Sequence, residues 1–189
     1  MANNRMLLII DAQYDFIEGG SLAVNGSKNK LDKLCEQIKN ENYDTIVFTV
    51  DWHPINHCSF TNNGGQWPVH CVQHTHGAAI YEPLFKAAVN NCKNVNMLTK
   101  GNVSRTEEYS VMDNHISSKE LCRIIDFTNP KQIDVCGIAS EYCVFESIQG
   151  LLKHNYKDKL NVMPEYIGCI ESNDKLISFC NEENIKIQY

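Results

Sequence analysis

The 189-residue sequence has no long apolar run, no CxxC pair, no basic stripe and only five prolines. Each shortage excludes a class of function. A bilayer-spanning helix needs about 20 consecutive apolar residues, so no membrane partner is expected. The N-terminal stretch MANNRMLLIID carries one Arg and a five-residue apolar run before Asp11. A secretory signal has a longer core and a cleavage site of small residues, so the expected location is cytoplasmic. Binding to a nucleic-acid backbone needs clustered positive charge. The net charge is −6 and the Lys and Arg residues are scattered, so no nucleic-acid partner is expected. Small molecules remain as the natural partners, and a homo-oligomer is left open. Without CxxC, a dithiol redox role has no support. The nine cysteines are an odd number. In a cytoplasmic protein they are reduced, and most serve as buried packing groups.

What is present is an alternation of short apolar runs and amphipathic segments, with no repeat or linker, so residues 1–189 read as a single domain. RMLLII (5–10), DTIVFTV (44–50), VNMLTK (95–100), QIDVCG (132–137), KLNVM (159–163) and IKIQY (185–189) read as strands. Segments 29–40, 118–127, 141–154 and 173–183 have helical spacing of apolar residues, with Ser118 and Ser140 as expected N-caps. Segment 78–90 is mainly helical around Pro83, and a polar loop runs from Asp51 to about His76. Strands alternating with helices predict a parallel sheet covered on both faces. The expected class is α/β: an open, doubly wound, six-stranded sheet in a three-layer α/β/α sandwich.

Such sheets bind ligands beyond the carboxyl ends of their strands. Four chemically capable residues fall there. Asp11 follows the first strand, Asp51 the second, Lys100 ends the third, and Cys143 lies just past the fourth. At a helix N-terminus beside Lys100, the Cys143 thiol is expected to have a lowered pKa. The N–H groups of Ala139 and Cys143 are placed to hold an oxyanion. Asp11 suits a general base and Lys100 a balancing cation. Taken singly, these residues have plainer uses: a packing cysteine, a capping aspartate, a solvated lysine. Their meeting on one rim favours chemistry.

DWHPINHCSF (51–60) then supplies Asp51, His53 and His57, and WPVHC supplies His70. Asp51 and His53 stand two apart in an extended stretch, so their side chains point the same way. Asp51, His53 and His70 suit one divalent transition metal: zinc first, iron or manganese as alternatives. His57 is a fourth ligand or a partner behind the ligands. His74, His76, His115 and His154 read as hydrogen-bonded loop or surface residues.

DAQYDFIEGGSLAVNGS (11–27), DWHPINHCSF, WPVHCV (67–72), KGNVSRTEEYS (100–110) and CGIASEYCV (136–144) together resemble the nicotinamidases, within the isochorismatase-like cysteine hydrolases. The resemblance runs along nearly the whole chain. It implies the isochorismatase-like fold and the hydrolysis of nicotinamide to nicotinic acid and ammonia in NAD salvage, with pyrazinamide as a second substrate. It implies Cys143 as nucleophile, forming a thioester, with Asp11 as base and Lys100 as third catalytic residue. It implies Asp51, His53 and His70 as metal ligands, and Phe16, Trp67, Tyr109 and Ile138 around the substrate, with a cis bond between Ile138 and Ala139. The metal is expected to orient the ring nitrogen. PEYIGC after the fifth strand and the spelling of 105–109 depart from the family. The competing expectations are a carbamoyl or ureido amidohydrolase of the same superfamily, and a non-catalytic metal-binding protein.

Overall fold

The computed structural model describes residues 4–189. Its elements, in chain order, are β1 (Arg5–Ile10), α1 (Ser27–Asn40), β2 (Thr45–Asp51), α2 (Glu82–Asn91), β3 (Val95–Lys100), α3 (Ser117–Thr128), β4 (Gln132–Ile138), α4 (Cys143–Lys153), β5 (Leu160–Gly168), α5 (Asp174–Glu182) and β6 (Lys186–Ile187). The strands form one parallel sheet in the order β3-β2-β1-β4-β5-β6. Connections run outward from β1 to β3, then return to β4 and run outward again. Right-handed crossovers place α1 and α2 on one face and α3, α4 and α5 on the other. Contacts agree: α1 packs on α2, Tyr156 after α4 bonds Asp126 of α3, and Phe145 of α4 meets Phe179 of α5.

The continuous apolar runs are explained by this layering. Met6 to Ile10 and all of β2 are buried, because both faces of the central strands are covered. β1 and β4 come so close that a Cβ on Gly137 would lie 2.0 Å from the Ile10 carbonyl oxygen. Only glycine fits there.

Several boundaries differ from the sequence expectation. α2 begins at Glu82, with Pro83 in its first turn, where a missing N–H costs nothing. Ser118 is not the cap of α3. The Ile116 and Ser117 N–H groups donate to Asn114 Oδ1 instead. Ser140 does not cap α4, and its hydroxyl donates to the Ser172 carbonyl. α4 starts later than expected, at Cys143. β5 runs on to Gly168, because the ladder slips between Val135 and Gly137 and lets Pro164 sit in the irregular stretch. β6 is only two residues long. At α1, Glu18 reaches across from the preceding loop: its carboxylate accepts the N–H groups of Gly26 and Lys28. Among the described residues, no helix is long and apolar enough to cross a membrane.

Candidate active site

The order in which strands are added reverses between β1 and β4, opening a crevice at the carboxyl ends of these two parallel strands. β1 stops at Ile10 because Asp11 turns left-handed, with φ 49, a conformation aspartate tolerates better than most residues. Its N–H donates to Thr49 O at 3.1 Å and its carbonyl accepts the Gln13 N–H at 2.8 Å. The Asp11 carboxylate is wholly buried. Oδ1 accepts the Thr49 hydroxyl at 2.8 Å. Oδ2 lies 2.9 Å from Lys100 Nζ but off the axis of a hydrogen bond, and it has no other partner.

Asp51 and Lys100 are paired residues on adjacent strands. The Lys100 ammonium bonds Asp51 Oδ1 and lies 3.7 Å from Cys143 Sγ. Burial opposes its charge, but Asp11, Asp51 and Cys143 outweigh burial and hold its pKa well above the ordinary value. Burial also raises Asp11, and Asp51 adds to this while Lys100 pulls back. The expectation of a lowered Cys143 pKa does not hold. Burial pushes the thiol well up, Lys100 opposes this, and Asp11 and Asp51 reinforce it. Asp11, Asp51 and Cys143 each place one donor atom within 4.8 Å of the others, so buried carboxylate oxygens lie within reach of the thiol.

The Cys143 N–H is a first-turn donor with no partner inside its helix. Among the turn and cap hydrogen bonds of the described residues, neither Ala139 nor Cys143 has an acceptor for its N–H. Both residues line the crevice. The Ile138–Ala139 bond is cis.

The other Asp51 oxygen faces two imidazoles. Oδ2 is 3.5 Å from His53 Nε2 and 3.8 Å from His70 Nε2. The far ring nitrogens are engaged, His53 Nδ1 with Gly101 O at 3.1 Å and His70 Nδ1 with Pro68 O at 2.7 Å. A carbonyl acceptor at Nδ1, with Nε2 turned inward, is the arrangement metal-ligating histidines adopt; at His53 burial opposes the charged form, but Asp51 outweighs it and raises the pKa. Burial lowers the His70 pKa and so favours its neutral, ligating form. One oxygen and two nitrogens converge within 4.8 Å. The donor set, one carboxylate oxygen and two imidazole nitrogens, fits a divalent cation.

His57 stands apart. Its Nδ1 accepts the Ser59 N–H at 3.1 Å and its Nε2 lies 3.0 Å from Thr106 O. With both nitrogens engaged it offers no ligand atom. Its ring packs on His53, centroids 4.1 Å apart.

A cavity of about 220 Å³ opens over the thiol and the imidazoles. Phe16, Trp67, Tyr109 and Ile138 all line it. Trp67 Nε1 donates to the Tyr109 hydroxyl at 3.1 Å, and the Phe16 ring lies 5.6 Å from that of His70.

A model of the isochorismatase domain matches residues 5–160. The chain belongs to this isochorismatase family. Its relatives include the nicotinamidase of Acinetobacter baylyi, 32% identical over 165 residues, covering 76% of this chain and 72% of the relative. Among solved structures, the pyrazinamidase of Pyrococcus horikoshii in complex with zinc superimposes with a TM-score of 0.80 at 30% identity, covering 98% of both chains. The L. infantum PnC1 in complex with nicotinate gives a TM-score of 0.86 at 27% identity, covering 100% of this chain and 93% of that one.

In this isochorismatase-family chain the structure adds residues that sequence reasoning missed. Gln13 is fully buried and clamps Asp51 by its backbone: Oε1 accepts the Asp51 N–H and Nε2 donates to the Asp51 carbonyl, both at 2.8 Å. Tyr142 lines the cavity, its ring edge-on to Trp67 at 5.0 Å. Its place beside Cys143 was the available signal. Gln13 offered only its position two residues beyond Asp11.

Proposed function

We propose that the protein is a nicotinamidase, a metal-dependent cysteine amidohydrolase releasing nicotinic acid and ammonia from nicotinamide, with pyrazinamide as a second substrate. The observation that carries this reading is one cavity in which the Cys143 thiol and a three-donor cluster, Asp51, His53 and His70, face each other between aromatic walls, with the buried Asp11 carboxylate and Lys100 ammonium behind the thiol. The nicotinamidases and pyrazinamidase among the relatives support it.

Phe16 and Trp67 flank the pyridine ring and bury it. Asp51, His53 and His70 would hold one divalent ion, zinc by preference, and it would supply a Lewis acid to anchor the ring nitrogen. Asp11 Oδ2 takes the proton of Cys143 as the sulfur attacks the amide carbon. The Ala139 and Cys143 N–H groups stabilise the oxyanion. Asp11 then gives its proton to the departing nitrogen, which leaves as ammonia. The thioester remains. Asp11 deprotonates a water molecule, which attacks the thioester. Nicotinic acid forms, and the proton returns to sulfur. Lys100 keeps the buried charge balanced throughout and holds Asp11 ionisable against the effect of burial. The physiological setting is NAD salvage in the cytoplasm.

Ammonia release from nicotinamide by the purified protein, with metal content measured on the same sample, tests the reading. Turnover with about one metal per chain, as a single closed site takes, supports it. Cys143→Ala should abolish turnover and keep the metal. Turnover in that variant overturns the covalent route. A folded, metal-loaded wild type inert toward nicotinamide but active on a carbamoyl or ureido compound moves the protein to that branch.

A further inference from the structure

We infer that Glu108 is a positioning residue for the metal ligand His53, acting through the backbone of Gly101. Glu108 is 6% exposed, although Glu107 beside it faces solvent. Its Oε2 accepts two bonds, from the Gly101 N–H at 2.7 Å and from Asn114 Nδ2 at 2.9 Å. The peptide joining Lys100 to Gly101 is thereby gripped from both sides, since the Lys100 carbonyl accepts the Trp52 N–H at 2.9 Å. The next carbonyl, that of Gly101, is the acceptor that fixes His53 Nδ1.

The contact between Gly101 and His53 is close. Gly101 has φ +66, and a Cβ there would lie 2.3 Å from His53 Cε1. The imidazole thus rests on the glycine backbone and moves when that backbone moves. Lys100, one residue back, is set by the same peptide. A carboxylate is a stronger acceptor for N–H groups than a neutral oxygen. Burying one in a loop has a desolvation cost, and Glu108 uses it to fix the turn that carries Lys100 and orients His53. Partners that orient a ligating histidine typically affect metal affinity about 10–100-fold.

The inference rests on the reading of Asp51, His53 and His70 as a metal site and is independent of which amide is cleaved. It is tested by Zn²⁺ affinity, measured by competition with a chelator, beside thermal unfolding of the metal-free protein. Glu108→Ala should weaken Zn²⁺ binding by about 10-fold or more. Glu108→Gln keeps an oxygen for the Gly101 N–H and should restore most of the affinity. Asn114→Ala removes the α3 cap and one of the two donors to Glu108 Oε2 but leaves the Gly101 N–H bonded to it; it should lower the unfolding temperature and weaken Zn²⁺ binding clearly less than Glu108→Ala does. Wild-type affinity in Glu108→Ala overturns the inference. So does a loss of Zn²⁺ affinity in Asn114→Ala as large as that in Glu108→Ala, which would reduce Glu108 to a loop anchor. A wild type that takes up no Zn²⁺ overturns the metal reading itself.

Discussion

Asp51 and Lys100 stand side by side at the ends of neighbouring strands, and the one carboxylate serves two sites: Oδ1 binds the Lys100 ammonium and Oδ2 faces His53 and His70. The cluster of Asp51, His53 and His70 and the surroundings of Cys143 are therefore coupled through a single buried side chain. Lys100 in turn reaches Asp11 and Cys143.

Replacing Lys100 by Met leaves two buried carboxylates without their cation. Removing one partner of a buried ion pair costs about 3–5 kcal/mol. Lys100→Met should lose about that much unfolding free energy in urea titration of the metal-free protein, together with its turnover. Wild-type stability in the variant would mean that Asp11 and Asp51 share a proton in place of the ammonium.

The Trp67 side chain bonds Tyr109 and packs edge-on to Tyr142 in the cavity wall. Trp67→Ala should raise KM for nicotinamide about 10-fold, within the range expected for losing an aromatic face and its burial, with metal content unchanged. An unaltered KM would remove Trp67 from the substrate wall.

Acid should loosen α1. Burial is the largest single influence and opposes the Glu18 charge, but the backbone N–H groups of Glu18, Lys28 and Gly26, with the Lys28 ammonium, together outweigh it and hold the carboxyl below the ordinary value. A group with a depressed folded-state pKa adds stability above its unfolded pKa, about 4.3 for Glu, and loses it as pH falls through the folded value. Glu18→Gln should therefore be less stable than wild type at neutral pH, by about 0.5 kcal/mol for an exposed cap. The two should converge as pH falls below about 4. A constant difference across that range would show that the charge is irrelevant.

The sheet and the rim were legible in the sequence for a physical reason. Strands buried on both faces leave continuous apolar runs, and strand ends expose whichever residue comes next: Asp11, Asp51 and Lys100. Apolar spacing does not report which donor meets which acceptor. Ser118 and Ser140 have the right chemistry for caps, but Asn114 occupies one position and Ser172 draws the other hydroxyl away. The thiol pKa was misjudged because helix ends and nearby lysines are visible in a sequence, whereas complete burial is not. Glu107 and Glu108 are adjacent and chemically identical. Only the fold distinguishes it from Glu107.

The strand order also has a consequence for how the molecule is made. β1 lies between β2 and β4, but β4 follows it by more than a hundred residues. During synthesis, β1 and β2 emerge together while the far edge of β1 waits for residues 132–138. An apolar strand with one bare edge is a sticky intermediate. Long-range parallel pairing of this kind is slow to form. The carboxyl ends of those same two strands frame the crevice, so the catalytic cleft is assembled at the step that hides the last exposed edge of β1.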